Sequence, residues 1–211
     1  MALLPPAPGF SRTALLIGNE GLERLAAARV AVVGIGGVGS YAAEALARAG
    51  VGSMTLIDSD TVQAGNLNRQ LHALTTTIGQ PKVVVMAERL QLINPALQAT
   101  PCRLQVTPDN VAELLLPGYD LVLDAIDSFA AKLALIKACL ADGTAILSSM
   151  GAAGKLDPTR VRIADIADSH GCRLARKLRK ELRRSGISTG VTVAYSDESC
   201  RLEQSGEPEG G

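Results

Sequence analysis

The sequence has few aromatic residues, no long apolar run and no excess of charge of either sign. Aromatic residues make up 2% of the 211 residues and tryptophan is absent, so Val, Leu, Ile and Ala must fill the core. No apolar run approaches the roughly 20 residues that a membrane span requires, which predicts no membrane anchor in this chain. Basic residues (21) equal acidic residues (21), so no overall field selects a nucleic acid or a membrane.

Targeting signals and metal-binding cysteine pairs are also missing. The first ten residues, MALLPPAPGF, contain no basic residue and are broken by prolines, which disfavours a signal peptide. No C-x-x-C pair and no zinc-ligand spacing occurs among the cysteines, which are Cys102, Cys139, Cys172 and Cys200. These features favour a cytoplasmic protein with reduced thiols.

Helix and strand signals alternate along most of the chain. Residues 11–29 have the apolar spacing of an N-terminal helical arm, with Leu15, Leu16, Leu22 and Leu25 on its apolar side. The run 29–33 is typical of a buried strand, and a glycine loop, a helix at 38–49 and a strand at 54–58 complete a βαβ unit. Alternation continues to about residue 164, which predicts an α/β, Rossmann-like, doubly wound and mostly parallel sheet.

The stretch VVGIGGVGS, residues 32–40, ends the first strand and begins the next helix. It contains four glycines, Gly34, Gly36, Gly37 and Gly39. Glycines at this point allow a tight turn and let the backbone approach a phosphate at a helix N-terminus. Asp58 ends the second strand, where an acidic residue can bind a ribose hydroxyl. These features suit NAD and ATP equally, and the lysine of a Walker loop is absent.

Polar residues after the second strand favour ATP. The segment Asp58–Gln70 contains Asp60, Asn66 and Arg69 at the sheet edge where ligands bind. Arg69 can fork onto phosphate oxygens and Asn66 can donate to one of them. A triphosphate needs such groups, whereas an NAD enzyme has no evident need for them.

Lys82 and two carboxylates add to this interpretation. Lys82 lies in the first turn of a helix predicted at 81–93, where a cation is disfavoured by roughly 0.3–1 kcal/mol unless a phosphate is bound. The alternative is an ordinary surface lysine. Asp124 and Asp127 follow a central strand predicted at 120–124. One of them could cap the next helix while the other holds Mg²⁺ on the phosphates.

The ordered motifs resemble the ThiF/MoeB/HesA superfamily of ATP-dependent adenylating enzymes over about residues 10–150. These motifs are GIGGVG at 34–39, DSD at 58–60, NLNRQ at 66–70, GQPK at 79–82 and DAID at 124–127. Within that superfamily, the chain is similar to the tRNA threonylcarbamoyladenosine dehydratase branch, as far as about residue 196. The similarity is carried by FSRT at 10–13, NRQLH at 68–72, VTPDN at 106–110 and LARKLR from residue 174.

The resemblance implies a role for each matching residue. The glycine loop, Asp58 and Asp60 would hold the nucleotide, with Asp58 on the ribose. The phosphates would be contacted by Asn66, Arg69 and Lys82, and Mg²⁺ would be bound by Asp127. Arg12 would enter the ATP site of the neighbouring subunit, which implies a homodimer; the alternative is a solvated residue on a mobile arm. The catalytic set would therefore be Arg12, Arg69, Lys82 and Asp127.

The implied activity is ATP-dependent dehydration of N6-threonylcarbamoyladenosine in tRNA through adenylation of its carboxylate. Sulfur-transfer proteins are further expected partners. The alternatives are an adenylating activator of a ubiquitin-like sulfur carrier protein, a truncated non-catalytic nucleotide-binding protein and, in third place, an NAD oxidoreductase. Ring closure needs no side-chain nucleophile, although Cys172 is a candidate for one. Compared with the branch, the C-terminal part is expected to be several dozen residues shorter.

Four segments are predicted: a helical arm (1–29), an ATP-binding adenylation domain (30–165), a basic helix with a partial C-terminal segment (166–200) and a disordered tail (201–211). The basic helix, 173–184, offers a surface for tRNA. Its cations are Arg173, Arg176, Lys177, Arg179, Lys180, Arg183 and Arg184, against one acid, Glu181. A solvated helix that packs through Leu174, Leu178 and Leu182 is the alternative.

Overall fold

Strand β1 (Arg29–Val33) lies in the middle of the strands formed by the first part of the chain. In the computed structural model, which describes residues 8–199, the chain divides into a unit up to Leu147 and a unit from Ser148 onward. This division lies earlier in the chain than the domain boundary predicted after residue 165. The functions assigned to the four segments remain predictions. The predicted disordered tail at 201–211 and Cys200 lie outside the described residues.

The first unit has alternating helices and strands. Its helices are α1 (Ser11–Ala27), α2 (Gly39–Ala49), α3 (Lys82–Ile93), α4 (Val111–Leu115) and α5 (Phe129–Asp142). Its other strands are β2 (Ser53–Ile57), β3 (Gln98–Cys102), β4 (Leu121–Asp124) and β5 (Ile146–Ser149), the last of which ends in the second unit. The strand order is β3-β2-β1-β4-β5.

Strand register places the functional segments side by side. Strand β1 pairs in parallel with β2 and β4, so that Val33 lies opposite both Ile57 and Asp124. Strand β2 pairs in parallel with β3. The glycine loop, Asp58 and the segment after Asp124 therefore leave the sheet at the same edge. The prediction of a Rossmann-like, mostly parallel α/β sheet is confirmed.

Both faces of β1 are covered. Val30 and Val32 pack in a cluster with α2 and α3 residues such as Ala43, Met86 and Leu90. Ala31 and Val33, which alternate with them, are also fully buried. A strand buried on both sides is expected in a doubly wound sheet, and it explains the unbroken apolar run at 30–33.

The N-terminal arm forms the predicted helix, and only part of its apolar side is buried. Helix α1 is interrupted at Gly18, whose φ of 72° lies in the left-handed region. Leu25 packs against the core, as expected. Leu15 and Leu16, which the spacing places on the same apolar side, are 79% and 86% exposed.

The second unit contains β6 (Val161–Asp165), α6 (Arg173–Arg184) and β7 (Thr192–Ser196). Strands β6 and β7 pair antiparallel, with Val161 opposite Ser196. Helix α6 has the bounds predicted from the sequence, and Ala175, Leu178 and Leu182 form its buried side. Across residues 8–199, no helix has both the length and the apolarity to cross a membrane.

Candidate nucleotide site

The glycine loop between β1 and α2 is shaped by close backbone contacts. Gly34 has a φ of 90° and donates its N–H to Ile57 O over 2.8 Å. A Cβ atom on Gly34 would lie 2.7 Å from Ala125 O, and one on Gly39 would lie 1.8 Å from Gly34 O. Neither position can therefore accept a side chain without moving the backbone.

The same loop exposes hydrogen-bond donors at the N-terminus of α2. Within residues 8–199, the N–H groups of Gly36, Gly37 and Val38 donate to no protein atom. A Cβ atom on Gly36 would meet only the Gln70 amide, 3.9 Å away. Unused N–H groups at the positive end of an eleven-residue helix favour an anion, such as a phosphate.

Asp58 joins two segments of the site. One carboxylate oxygen accepts from Ile35 N (2.7 Å) in the glycine loop, and the other accepts from Asp60 N (2.8 Å). A carboxylate offers about four lone-pair positions, so Asp58 can still accept from a ribose hydroxyl.

Lys82 has a protein partner, Asp60, that its position in the sequence does not reveal. Its Nζ lies 2.7 Å from Asp60 Oδ2, and its side chain is 7% exposed, whereas that of Asp60 is 63% exposed. The backbone also contributes, because Lys82 N donates to Asp60 O (3.0 Å). The unfavourable position of a cation at the start of α3 is therefore offset by Asp60 before any phosphate binds, and Lys82 is not an ordinary surface lysine.

Asn66 ends the short 3-10 turn Ala64–Asn66, and Arg69 comes shortly after it. Arg69 Nη1 donates to Gly65 O (2.9 Å) and to Asn68 Oδ1 (3.0 Å), while its stem lies next to Gly37. Three other guanidinium N–H groups of this exposed residue can reach a phosphate. The Asn66 side-chain oxygen accepts from Gln63 N (3.0 Å), which leaves Nδ2 as its donor for a ligand.

The two carboxylates after β4 differ in their surroundings. Asp124 is buried, with Oδ2 2.7 Å from the fully buried Lys132 Nζ and Oδ1 accepting from Ile126 N (3.0 Å). Asp127 is exposed and has no hydrogen bond or ion pair in the described part of the chain. The expected helix cap is not formed by either, since Ser128 precedes α5. Asp127 is the carboxylate that can serve Mg²⁺.

A metal at Asp127 would need ligands from outside the protein. Among residues 8–199, no group of three or more His, Cys, Asp or Glu could hold a metal ion. Magnesium commonly takes one or two carboxylates and completes its octahedron with phosphate oxygens and water. A single exposed carboxylate that follows β4 at the edge of the sheet where the glycine loop lies fits that mode of binding.

Three further residues belong to this region but were not identified as site residues. Lys132 pairs with Asp124, and Gln70 and His72 are buried. Gln70 Oε1 and both ring nitrogens of His72 have no hydrogen-bond partner in the described residues. Burial, and next the charge of Lys82, lower the pKa of His72 to about 4, so its ring is neutral at physiological pH. Gln70 and His72 belong to the NRQLH motif, and this motif is the sequence feature that could have identified them as site residues.

Most of the predicted site residues come together, and one does not. We call Gly34–Gly39, Asp58, Asp60, Asn66, Arg69, Lys82 and Asp127 the nucleotide rim. Arg12, in α1, is exposed and forms no hydrogen bond or ion pair with any of these residues within residues 8–199. Cys172 is 6% exposed at the start of α6, where burial opposes a role as nucleophile.

Comparison with known proteins agrees with the motifs and the geometry. Residues 10–195 match the ThiF family. The chain belongs to the ThiF family. It is 50% identical to the tRNA threonylcarbamoyladenosine dehydratase of Bacillus subtilis (strain 168) over 190 residues, which cover 90% of this chain and 75% of that protein.

Solved structures give the same picture for the ThiF fold. The structure is similar to the crystal structure of E. coli tRNA N6-threonylcarbamoyladenosine dehydratase in complex with ATP, with a TM-score of 0.88 and 42% identity. That match covers 95% of this chain and 86% of the E. coli chain. By contrast, a sulfur carrier protein adenylyltransferase of Thermus thermophilus is 42% identical over only 54% of this chain and 41% of its own length.

Proposed function

We propose that this chain catalyses the ATP-dependent dehydration of N6-threonylcarbamoyladenosine in tRNA. The observation that carries the proposal is the nucleotide rim, within a chain that is 50% identical to a dehydratase over 90% of its length. The exposed loop N–H groups, Arg69 and Lys82 suit a triphosphate. Both substrates are available in the cytoplasm, where we place the reaction.

The reaction consists of two displacements. A carboxylate oxygen of the threonyl group attacks the α-phosphorus of ATP, the acyl–phosphate bond forms and pyrophosphate leaves. A carbamoyl group of the same modified base then attacks the acyl carbon and loses a proton, while AMP leaves with one carboxylate oxygen. The base thereby loses the elements of water, and the cleavage of ATP to AMP and pyrophosphate drives the step.

The rim residues supply positioning and positive charge. Negative charge gathers on the phosphorus under attack, so fixed donors and cations stabilise that state more than the ground state. The ammonium of Lys82 is held by Asp60, and Arg69 is held by Gly65 O and Asn68. We assign the ribose hydroxyls to Asp58 and one phosphate oxygen to Asn66. Asp127 would hold Mg²⁺, which would supply positive charge at the phosphates.

We also propose a homodimer in which Arg12 reaches the partner's nucleotide. Arg12 is exposed and unpaired within residues 8–199, and the same turn of α1 presents Leu15 and Leu16 to solvent. Large apolar side chains at this exposure favour burial against another chain. A segment that provides both an apolar face and a free guanidinium suits a subunit interface beside an anionic ligand.

The proposal is tested by pyrophosphate exchange with the separate variants Arg69→Ala and Arg12→Ala. Each variant should lose exchange by about 100-fold or more, because each removes a cation from the transition state. Mixing the two inactive variants should restore up to about a quarter of the wild-type rate, because half of the dimers would then contain one intact site. As a control for folding, both variants should have the melting temperature of the wild type.

A lack of recovery in the mixture, with each variant inactive alone, would contradict the shared site. Exchange that depends on tRNA carrying the modification would support dehydration. Exchange that depends instead on a ubiquitin-like sulfur carrier protein would assign the second candidate function, and ATP binding without exchange would assign a non-catalytic protein. Sulfur-transfer proteins would be sought as partners by co-purification.

A further inference from the structure

Helix α6 carries its cations on one side. Six basic side chains, Arg173, Arg176, Lys177, Lys180, Arg183 and Arg184, are exposed. At 3.6 residues per turn they fall within an arc of about 120°, opposite the buried Ala175, Leu178 and Leu182. We call these six residues the cationic stripe. The chain has no net charge, so this concentration of one sign is local.

Most of the stripe has no internal ionic partner. Glu181 is the single acid of the helix and pairs with Arg184 over 2.7 Å. In the part of the chain that the structure describes, Arg173, Arg176, Lys180 and Arg183 form no hydrogen bond or ion pair through their side chains. Self-repulsion among four free cations is unfavourable, and it would be relieved by a polyanion.

Arg179 does not belong to the stripe, contrary to the sequence prediction. Its Nη1 donates to Ile166 O (3.1 Å), Ser169 O (2.7 Å) and Ser169 Oγ (2.7 Å). These bonds fix the loop before α6 and turn the guanidinium away from the exposed side. Arg179 therefore supports the unit, and it provides a control for changes on the same helix.

We infer that the cationic stripe binds the phosphodiester backbone of the tRNA substrate; this inference rests on the proposed function. Side chains one turn apart lie about 5–6 Å apart at Cβ, so successive turns can contact neighbouring phosphates. Long, unpaired Lys and Arg side chains suit contacts that require charge and little directional precision. The stripe contains no aromatic side chain for base stacking, so its contribution to tRNA binding is expected to come mainly from charge.

The test measures binding of a tRNA transcript to the full chain at several KCl concentrations. The triple variant R176Q/K180Q/R183Q should bind about 10–100-fold more weakly near 0.1 M salt, and the slope of log Kd against log salt should fall by about 2–3. Its ATP affinity should equal that of the wild type. Arg24→Gln, which removes an exposed cation from α1, should leave the slope unchanged.

Arg179→Met controls for instability of the unit. It should lower the melting temperature without changing the salt slope, because its guanidinium is used inside the protein. A triple variant with wild-type tRNA affinity and salt slope overturns the inference. If the wild type binds tRNA through the stripe but never converts the modified base, the proposed function fails and the surface stands. If it converts the base and the stripe variants match it in affinity, the surface alone fails.

Discussion

The nucleotide rim and the cationic stripe both present positive charge, but they hold it differently. At the rim, Lys82 is paired with Asp60 and Arg69 is fixed by Gly65 O and Asn68. On the stripe, Arg173, Arg176, Lys180 and Arg183 have no side-chain partner in residues 8–199. The cations of the rim therefore point in fixed directions. Four cations of the stripe instead carry charge that no partner within those residues neutralises.

The difference fits the role that we propose for each surface. A displacement at phosphorus needs donors aimed at one position, and misplacement by an ångström is costly. A nucleic-acid backbone offers many equivalent phosphates, so mobile cations suffice. Substitutions at the rim should consequently affect catalysis and the free energy of unfolding by changing the geometry. Substitutions on the stripe should instead change the strength of binding and its dependence on salt concentration.

The largest effect that would sharpen this comparison is expected at Gly39. A Cβ atom there would lie 1.8 Å from Gly34 O, a backbone atom that cannot move without opening the loop. Gly39→Ala should abolish ATP binding, measured by calorimetry, and reduce soluble folded protein. Gly65→Ala is the control, since a Cβ atom there meets nothing within 4 Å. Wild-type ATP affinity in Gly39→Ala would mean that the loop is not preorganised.

A smaller effect should separate the two carboxylates after β4. Asp124→Ala would remove the carboxylate that is paired with the buried Lys132 and should lower the free energy of unfolding by about 3–5 kcal/mol. Asp127→Ala should change it by less than about 0.5 kcal/mol, because the side chain is exposed and unpaired within the described residues.

Urea unfolding measures both changes, and ATP titration with and without Mg²⁺ supplies the second readout. Asp127→Ala should remove the effect of Mg²⁺ on ATP affinity. Retention of that effect would show that Asp127 does not serve the metal, whatever the stability of the variant.

The smallest effect concerns pH and His72. Burial keeps its pKa at about 4, below the value of about 6.5 expected in the unfolded chain. The unfolded chain therefore takes up the proton first, and stability that is complete above pH 6.5 falls as the pH drops towards 4. Between pH 7.5 and 5 this group should cost about 2 kcal/mol of the free energy of unfolding.

His72→Gln should make that loss smaller by the same amount, whatever its effect on stability at pH 7.5. Urea unfolding at the two pH values measures the difference. An acid loss in His72→Gln that equals that of the wild type would assign the pH dependence to other groups.

Local patterns were sufficient for the elements that depend on nearby residues. Strand β1 and helix α6 have the predicted bounds, because a buried apolar run ends in glycine in one case and a basic amphipathic period is uninterrupted in the other. The glycines, Asp58, Asp60, Asn66, Arg69 and Lys82 come together because parallel register brings the carboxyl ends of β1, β2 and β4 to one edge.

Partners chosen by packing could not be predicted in this way. Nothing in the sequence marks Lys132 as a fully buried lysine, Arg179 as bonded to Ser169, or Asp60 as the partner of Lys82. Gly18 interrupts α1, and Leu15 and Leu16 are exposed although their spacing places them on the apolar side with Leu25. Such outcomes depend on the three-dimensional path of the backbone, which periodicity does not report.

One oxygen of the Asp58 carboxylate accepts a hydrogen bond from the glycine loop, and the other accepts one from the start of the loop after β2. A movement of either loop would therefore disturb the other. The protein's contacts with the sugar and with the phosphates of a bound nucleotide would thus be coupled. A compound that fits only one end would strain the opposite end through this shared anchor. Discrimination among nucleotides could thus originate at a residue that would contact the nucleotide only at its ribose.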